Sequence, residues 1–204
     1  NLILCNYSLY DYNLTKCLKN NFINTNNNST YKNSDLVMND FGFRLSFLSC
    51  LIFEKDQFLK VPENTYKKYV KFQFPFLLSI YYMIYKNCSF RFIKESLLIQ
   101  RGNKIHASSE WWYSIFVEGS NKVFAFLNEL GYSTRSVRAA KIKLIYSDII
   151  PDIIFRRLNN NSLRNKSLML IKNYYNYPIQ LIILLVSIYT PIQIVKFLLK
   201  VYKS

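Results

Sequence analysis

Two hydrophobic periods run along this chain, first the period of strands and then that of helices. Asn1 to Tyr7 is a short apolar run and reads as a buried strand. Asn20 to Ser34 is rich in Asn, Ser and Thr and reads as an irregular loop. Phe47-Leu48-Ser49-Cys50-Leu51-Ile52-Phe53 is almost continuously apolar, and Lys55-Asp56 follow it. That is the pattern of a central strand buried on both faces. Tyr69 to Tyr85 is apolar, aromatic and of core-helix length. Pro75 places the helix start near itself, because proline suits the first turn and breaks later ones. Phe90 to Arg101 alternates as a strand does, with Phe90, Phe92, Ser96, Leu98 and Gln100 on one face and Arg91, Ile93, Leu97 and Ile99 on the other.

After Asn103 the period becomes helical. Ser108 or Ser109 is a candidate cap. Trp112, Ile115, Phe116, Gly119, Val123, Phe126, Leu127 and Leu130 recur at helix spacing, and Gly131 suits the position just past the end. A second helix begins near Thr134, with Val137, Ala140 and Leu144 on one face. Arg135, Arg138 and Lys141 lie on another, open between a solvated surface and contact with lipid or phosphate. Asn159 to Lys166 reads as a polar, basic linker.

From Asn173 to Val195 no residue is charged, and a bilayer span needs about 20 apolar residues. Asn173, Asn176, Gln180 and Gln193 are polar, however, and Pro178 and Pro191 interrupt the run. The most apolar part, Leu181 to Tyr189, is too short to span. Lys196, Lys200 and Lys203 then fall at i, i+4 and i+7, a basic stripe on an otherwise apolar helix. This composition predicts an interfacial helix on anionic lipid rather than a spanning one. The order of elements predicts an α/β unit over 1–105, a helical appendage over 106–172 and membrane-associating helices over 173–204.

Composition narrows the classes. Half of the 204 residues are hydrophobic, enough for a packed core. The four glycines, Gly42, Gly102, Gly119 and Gly131, are too far apart for a glycine-rich phosphate loop. The formal charge of +15 implies an anionic partner. Its positive residues are spread out, and some fall in the apolar C-terminal part, which favours a membrane over nucleic acid. The four cysteines form no CxxC pair, and Cys5 and Cys50 sit in apolar runs that suit buried thiols. A single histidine, His106, rules out a histidine metal cage. The N-terminus lacks the charge pattern of a signal peptide, and a start at Asn1 within an apolar run reads as a fragment or a processed chain.

Three stretches in order resemble the second half of family 2 glycosyltransferases, especially those that add sugars to bacterial O-antigens and capsules. Ser46 to Asp56 resembles the segment leading through an apolar strand to a charged turn. Phe74-Pro75-Phe76 resembles the start of the following helix, and Arg101-Gly102-Asn103 the Arg-x-Asn that ends the next strand. The likeness covers roughly residues 1 to 121, and the helical remainder matches only in kind. It implies the C-terminal part of a GT-A sheet, a nucleotide-sugar donor and a lipid-linked or polysaccharide acceptor, worked on at the cytoplasmic face of the bacterial inner membrane by a peripherally bound enzyme.

The resemblance also implies a divalent metal, Mn or Mg, in the full-length enzyme. The family's Asp-x-Asp motif lies N-terminal to the part matched here, and Asp11-Tyr12-Asn13 is not that motif, so this chain alone is expected to bind no metal and to be inactive. Arg101 and Asn103 are its candidate substrate-binding residues, facing a cleft at a strand end, with Ser46 and Ser49 weaker candidates. No base is assigned: related chains carry His near the helix start, this one has Phe76, and Asp56 and Glu63 are the nearest acids. Asp148 and Asp152, with Pro151 between them, are poor candidates for a metal. Trp111 and Trp112 suit core or interface anchoring better than sugar stacking. Two other classes remain open, a non-catalytic membrane-bound interaction protein and, more remotely, a basic nucleic-acid binder.

Overall fold

The computed structural model describes residues 2–24, 28–67, 75–101, 112–159 and 163–196. The first strand, β1 (Leu2–Tyr10), is flanked on both edges. Along one edge it runs parallel to β5 (Phe90–Arg101), in register from Leu2 opposite Phe90 to Tyr10 opposite Arg101. Its other edge is shared by β4 (Leu51–Phe53), antiparallel at Leu2 to Leu4, and β2 (Cys17–Lys19), antiparallel at Leu9 and Tyr10. The short β3 (Ser29–Tyr31) pairs antiparallel with β5 and gives the predicted loop one strand of its own.

β1 has nine residues and β5 twelve, and the mismatch is absorbed by irregular register on either side of Asn6. Bulges leave backbone groups unpaired, and Asn6, fully buried, answers them. Its Nδ2 donates to the carbonyls of Ile23 at 2.9 Å and Lys94 at 3.0 Å. Its Oδ1 accepts from the amides of Tyr7 and Ile23, both at 2.9 Å.

The run Phe47 to Phe53 is not a central strand. Gly42–Ser46 and Leu48–Cys50 form 3₁₀ turns, and only Leu51–Phe53 joins the sheet, with Ile52 58% exposed. The turns bury the apolar side chains without a ladder: Leu45 and Cys50 are inaccessible, and the Phe47 ring lies 4.7 Å from that of Tyr7. An apolar run states only that side chains are buried, and a three-residue turn period serves as well as a strand.

The helix α1 (Ser34–Phe41) is capped by Asn33, whose side chain accepts from the amides of Asp35 and Leu36. The short α2 (Lys55–Leu59) and α3 (Glu63–Lys67) lead to α4 (Pro75–Lys86), which begins at the predicted proline. It buries Leu77, Leu78, Ile80, Tyr81 and Ile84. Trp112 and Tyr113 open a helical stretch that continues through a π-helical segment, Ser114–Gly119, into α5 (Ser120–Leu130). The candidate caps Ser108 and Ser109 lie outside the described residues. Gly131 ends α5 in the left-handed region at φ 108°, where any side chain would be strained, and a Cβ there would stand 2.4 Å from the Tyr85 hydroxyl oxygen.

Ser133 caps α6 (Thr134–Leu144) by accepting from the Ser136 amide. A second π-helical stretch, Ile145–Ile149, joins α6 to α7 (Ile150–Leu158). Pro151 supplies the reason: it removes a donor and crowds the preceding turn, which widens to accommodate it. The chain closes with α8 (Ser167–Tyr174) and α9 (Pro178–Tyr189), antiparallel neighbours clasped where the Tyr189 hydroxyl donates to Ser167 Oγ at 3.1 Å. One hydrophobic core runs from Leu2 of β1 to Ile188 of α9. Polar bonds reinforce it: Asp35 of α1 accepts from the Ser133 amide at 3.0 Å and the Ser136 hydroxyl at 2.6 Å. The architecture is mixed α/β, and among the described residues no helix is long and apolar enough to cross a membrane.

Candidate functional site

Arg101 is the last residue of β5, opposite Tyr10 at the end of β1. Both strands point their carboxyl ends here, the end at which parallel sheets commonly bind ligands. The guanidinium is exposed and lies 5.7 Å from the centroid of the Tyr12 ring. Asn103, the other strand-end candidate, falls outside the described residues. Ser46 is half-buried and Ser49 exposed, at the end of the first 3₁₀ turn and within the second. Among the described residues no hydrogen bond joins either serine to Arg101.

Several acids are occupied in structural roles, Asp11 alone among them next to this strand end. Asp11 accepts from the Thr15 amide at 2.7 Å, the Thr15 hydroxyl at 2.6 Å and the Lys16 amide at 3.1 Å. These bonds, the Thr15 side chain first, hold its carboxyl below the usual range. Asp148 pairs with Arg44 at 3.5 Å, and Asp152 with Arg156 at 2.5 Å. Glu63 meets Lys67 on an exposed helical turn. Among the described residues no three His, Cys, Asp or Glu side chains converge where a metal ion could bind. Cys5 and Cys50 are buried free thiols, and burial pushes the Cys50 thiol up to about 12. Trp112 is a core residue, its ring stacked on Phe116 at 5.0 Å and the Arg156 guanidinium 5.5 Å from its centroid, while Trp111 lies outside the described residues.

The α8–α9 hairpin presents a different arrangement. Leu170, Tyr174, Leu184 and Ile188 face the core, yet the outer positions are apolar too. Leu168 is 78% exposed, Ile179 65% and Ile182 60%, joined by Ile171, Tyr175, Val186 and Tyr189. On α9 the exposed set Ile179, Ile182, Val186 and Tyr189 recurs at helical spacing and forms a stripe. Neighbouring apolar side chains left in water are a feature that interaction faces share. Its surroundings are basic: Arg164, Lys172 and Lys196 are exposed and Lys166 half-buried. Arg157 ties down the end of α9 by donating to the Ser187 carbonyl at 2.6 Å and to that of Thr190. Lys200 and Lys203 of the predicted stripe lie outside the described residues.

Two cavities open elsewhere among the described residues. One of about 220 Å³ opens beside Leu2, Lys60, Tyr82, Lys86 and Asn87, at the amino ends of β1 and β5 and thus away from Arg101. The other, about 350 Å³, lies between α5, α6 and the turn from α8 to α9. No known family model matches the chain, and no curated protein or solved structure matches it either.

Sequence reasoning missed one signal. All twelve acidic residues lie at or before Asp152, and from Ile153 to Ser204 the chain carries eight Lys and Arg with no acid. The charge is therefore segregated along the chain, and its acid-free portion carries the exposed apolar face.

Proposed function

We propose that this chain acts at the surface of an anionic membrane, docking through the α8–α9 hairpin, as the C-terminal part of a glycosyltransferase. The observation that carries the docking is the exposed stripe Ile179, Ile182, Val186 and Tyr189, set in a portion of the chain with cations and no acids. Apolar side chains enter the acyl boundary, and each nearby Lys or Arg adds about 1 kcal/mol against anionic headgroups. The transferase part rests on the resemblance of Ser46 to Asp56, Phe74 to Phe76 and Arg101 to Asn103. The position of Arg101 at the carboxyl ends of two parallel strands supports it. Nucleotide sugar and metal are then matters for a nucleotide-binding half, with Arg101 offsetting diphosphate charge and Asn103 bonding sugar hydroxyls.

The docking is tested by sedimentation with phosphatidylcholine vesicles, with and without phosphatidylglycerol. The chain is expected to pellet with the anionic vesicles and less with the neutral ones, and added salt is expected to weaken the difference. Ile182→Glu with Val186→Glu is expected to abolish pelleting and leave the melting temperature nearly unchanged. Unaltered pelleting of that double variant removes the docking assignment. Salt-sensitive RNA or DNA binding without vesicle binding would instead favour the nucleic-acid reading. The transferase part is tested in an enzyme that includes the nucleotide-binding half: Arg101→Ala is expected to slow turnover by about 10²-fold, and near-normal turnover returns Arg101 to a solvated strand end.

A further inference from the structure

The 350 Å³ cavity between α5, α6 and the α8–α9 turn is lined by Asn121, Asn128, Arg138, Lys141, Asn176 and Tyr177, with no acid among the described residues of its wall. Its base holds an unusual cation. Lys141 is only 9% exposed, and a buried ammonium ordinarily faces a carboxylate. Here Nζ donates to the Asn173 carbonyl at 3.2 Å and stands 4.6 Å from the Tyr177 ring and 4.9 Å from the Tyr174 ring. The rings supply partial negative charge only. An ammonium has three donors, and one is used by protein oxygen among the described residues. Burial, with no charged partner, pushes this lysine down to about 8.

Arg138 lies one turn earlier on α6 and is exposed, its guanidinium 5.7 Å from the Tyr177 ring. It too lacks a carboxylate partner among the described residues. The two cations therefore stand on one face of α6, joined by Tyr177, with the amides of Asn128 and Asn176 around them. A buried, unneutralised lysine is costly to the fold, and a bound anion would remove that cost.

We propose that this cavity is a phosphate site, in which Lys141 and Arg138 bind a phosphate monoester or diphosphate. Two cations suit a ligand with more than one negative charge, the guanidinium fork engaging two oxygens and the ammonium acting as a compact point charge. A cavity of about this volume is in the range that admits small ligands. The turn that forms one wall continues into exposed Tyr175 and Ile179, so phosphate borne on a lipid and phosphate borne on a soluble ester both have access. The site stands independently of membrane docking.

The test is calorimetric titration of the full chain with inorganic pyrophosphate near neutral pH. One saturable site per chain is expected. Arg138→Gln and Lys141→Met are each expected to weaken binding by about tenfold or more, the scale of one lost charge-assisted bond. Asn128→Asp, an exposed change on α5, places a carboxylate in the wall and is expected to weaken binding several-fold with an unaltered melting temperature. Vesicles distinguish the source of the phosphate. Tighter binding to phosphatidic acid than to phosphatidylglycerol, reversed by pyrophosphate, assigns the site to a lipid headgroup; equal binding assigns it to a soluble ester. The Ile182→Glu, Val186→Glu variant is expected to keep its pyrophosphate affinity, which separates this site from the docking face. Absence of saturable pyrophosphate binding, or wild-type affinity in both cation variants, overturns the proposal.

Discussion

The buried centre of the β1–β5 ladder and the outer face of the α8–α9 hairpin break the inside–outside rule in opposite senses. In the ladder a polar residue, Asn6, is wholly buried, and its bonds to Tyr7, Ile23 and Lys94 stay within the chain. In the hairpin Ile179, Ile182 and Val186 face outward, and no element among the described residues covers them. The first exception is resolved by the fold itself, whereas the second leaves surface for something else to cover. A buried polar group with its bonds complete therefore says little about function, and an apolar group left in water says more.

Breaking the first exception is expected to have the largest effect. Asn6→Leu strips partners from two amides and two carbonyls beside the bulge, and a loss of about 4 kcal/mol in unfolding free energy is expected from chemical denaturation. Next, the two faces of α9 are predicted to separate: Leu184→Ala, from an inaccessible position, should cost about 3 kcal/mol. Ile182→Ala should change stability by less than about 0.5 kcal/mol and weaken vesicle binding. Equal costs for the two would erase the distinction between inner and outer faces. Removal of residues 178–204 is a poorer test, because it takes Leu184 and Ile188 from the core.

Lys141→Met is predicted to stabilise the chain by about 1–3 kcal/mol at neutral pH, by relieving the desolvation that lowers this lysine. The unfolded lysine keeps its proton to about 10.5, and the folded one releases it near 8. Between those values the unfolded state binds more protons, so this group makes stability rise with pH. Melting of wild type and variant side by side should show their difference shrinking as pH rises through that window, and a constant difference would contradict the assignment. The smallest effect belongs to Arg101→Ala, whose exposed side chain should contribute less than about 0.5 kcal/mol to stability in the same assay.

Much of this fold was legible in the pattern of residues. β5 has the predicted bounds, α4 starts at Pro75, α6 at Thr134, and Gly131 closes α5. These are places where local chemistry decides: a missing amide, a capping hydroxyl, a left-handed glycine. Phe47 to Phe53 was misread because burial of its side chains is common to a strand and to successive 3₁₀ turns, and only the neighbours of Leu45 and Cys50 distinguish them. Asn6 gave no signal, since a bulge depends on the length of a partner strand, and its own partner there, Ser96, is 90 positions away. Lys141 resembled its surface neighbour Arg135 in every sequence property; the approach of Tyr174 and Tyr177 from another helix and its turn made it a buried residue. For a similar reason the strand end that carries Arg101 could be located from the pattern, whereas the 3₁₀ turns that carry Ser46 and Ser49 were concealed by it.

The confinement of every acid to residues before Ile153 has a consequence for motion before contact. A body charged unevenly along its length experiences a torque as well as a pull in the field of a negative surface. At physiological salt that field fades within about 8 Å, so alignment comes only in the final nanometre of approach. Within that layer the acid-free portion, with eight cations, is drawn more strongly for its length than the remainder, whose nineteen cations are partly offset by twelve acids. Rotational search is thereby narrowed before the first isoleucine leaves water, and the lysines and arginines act as a rudder as well as a grip.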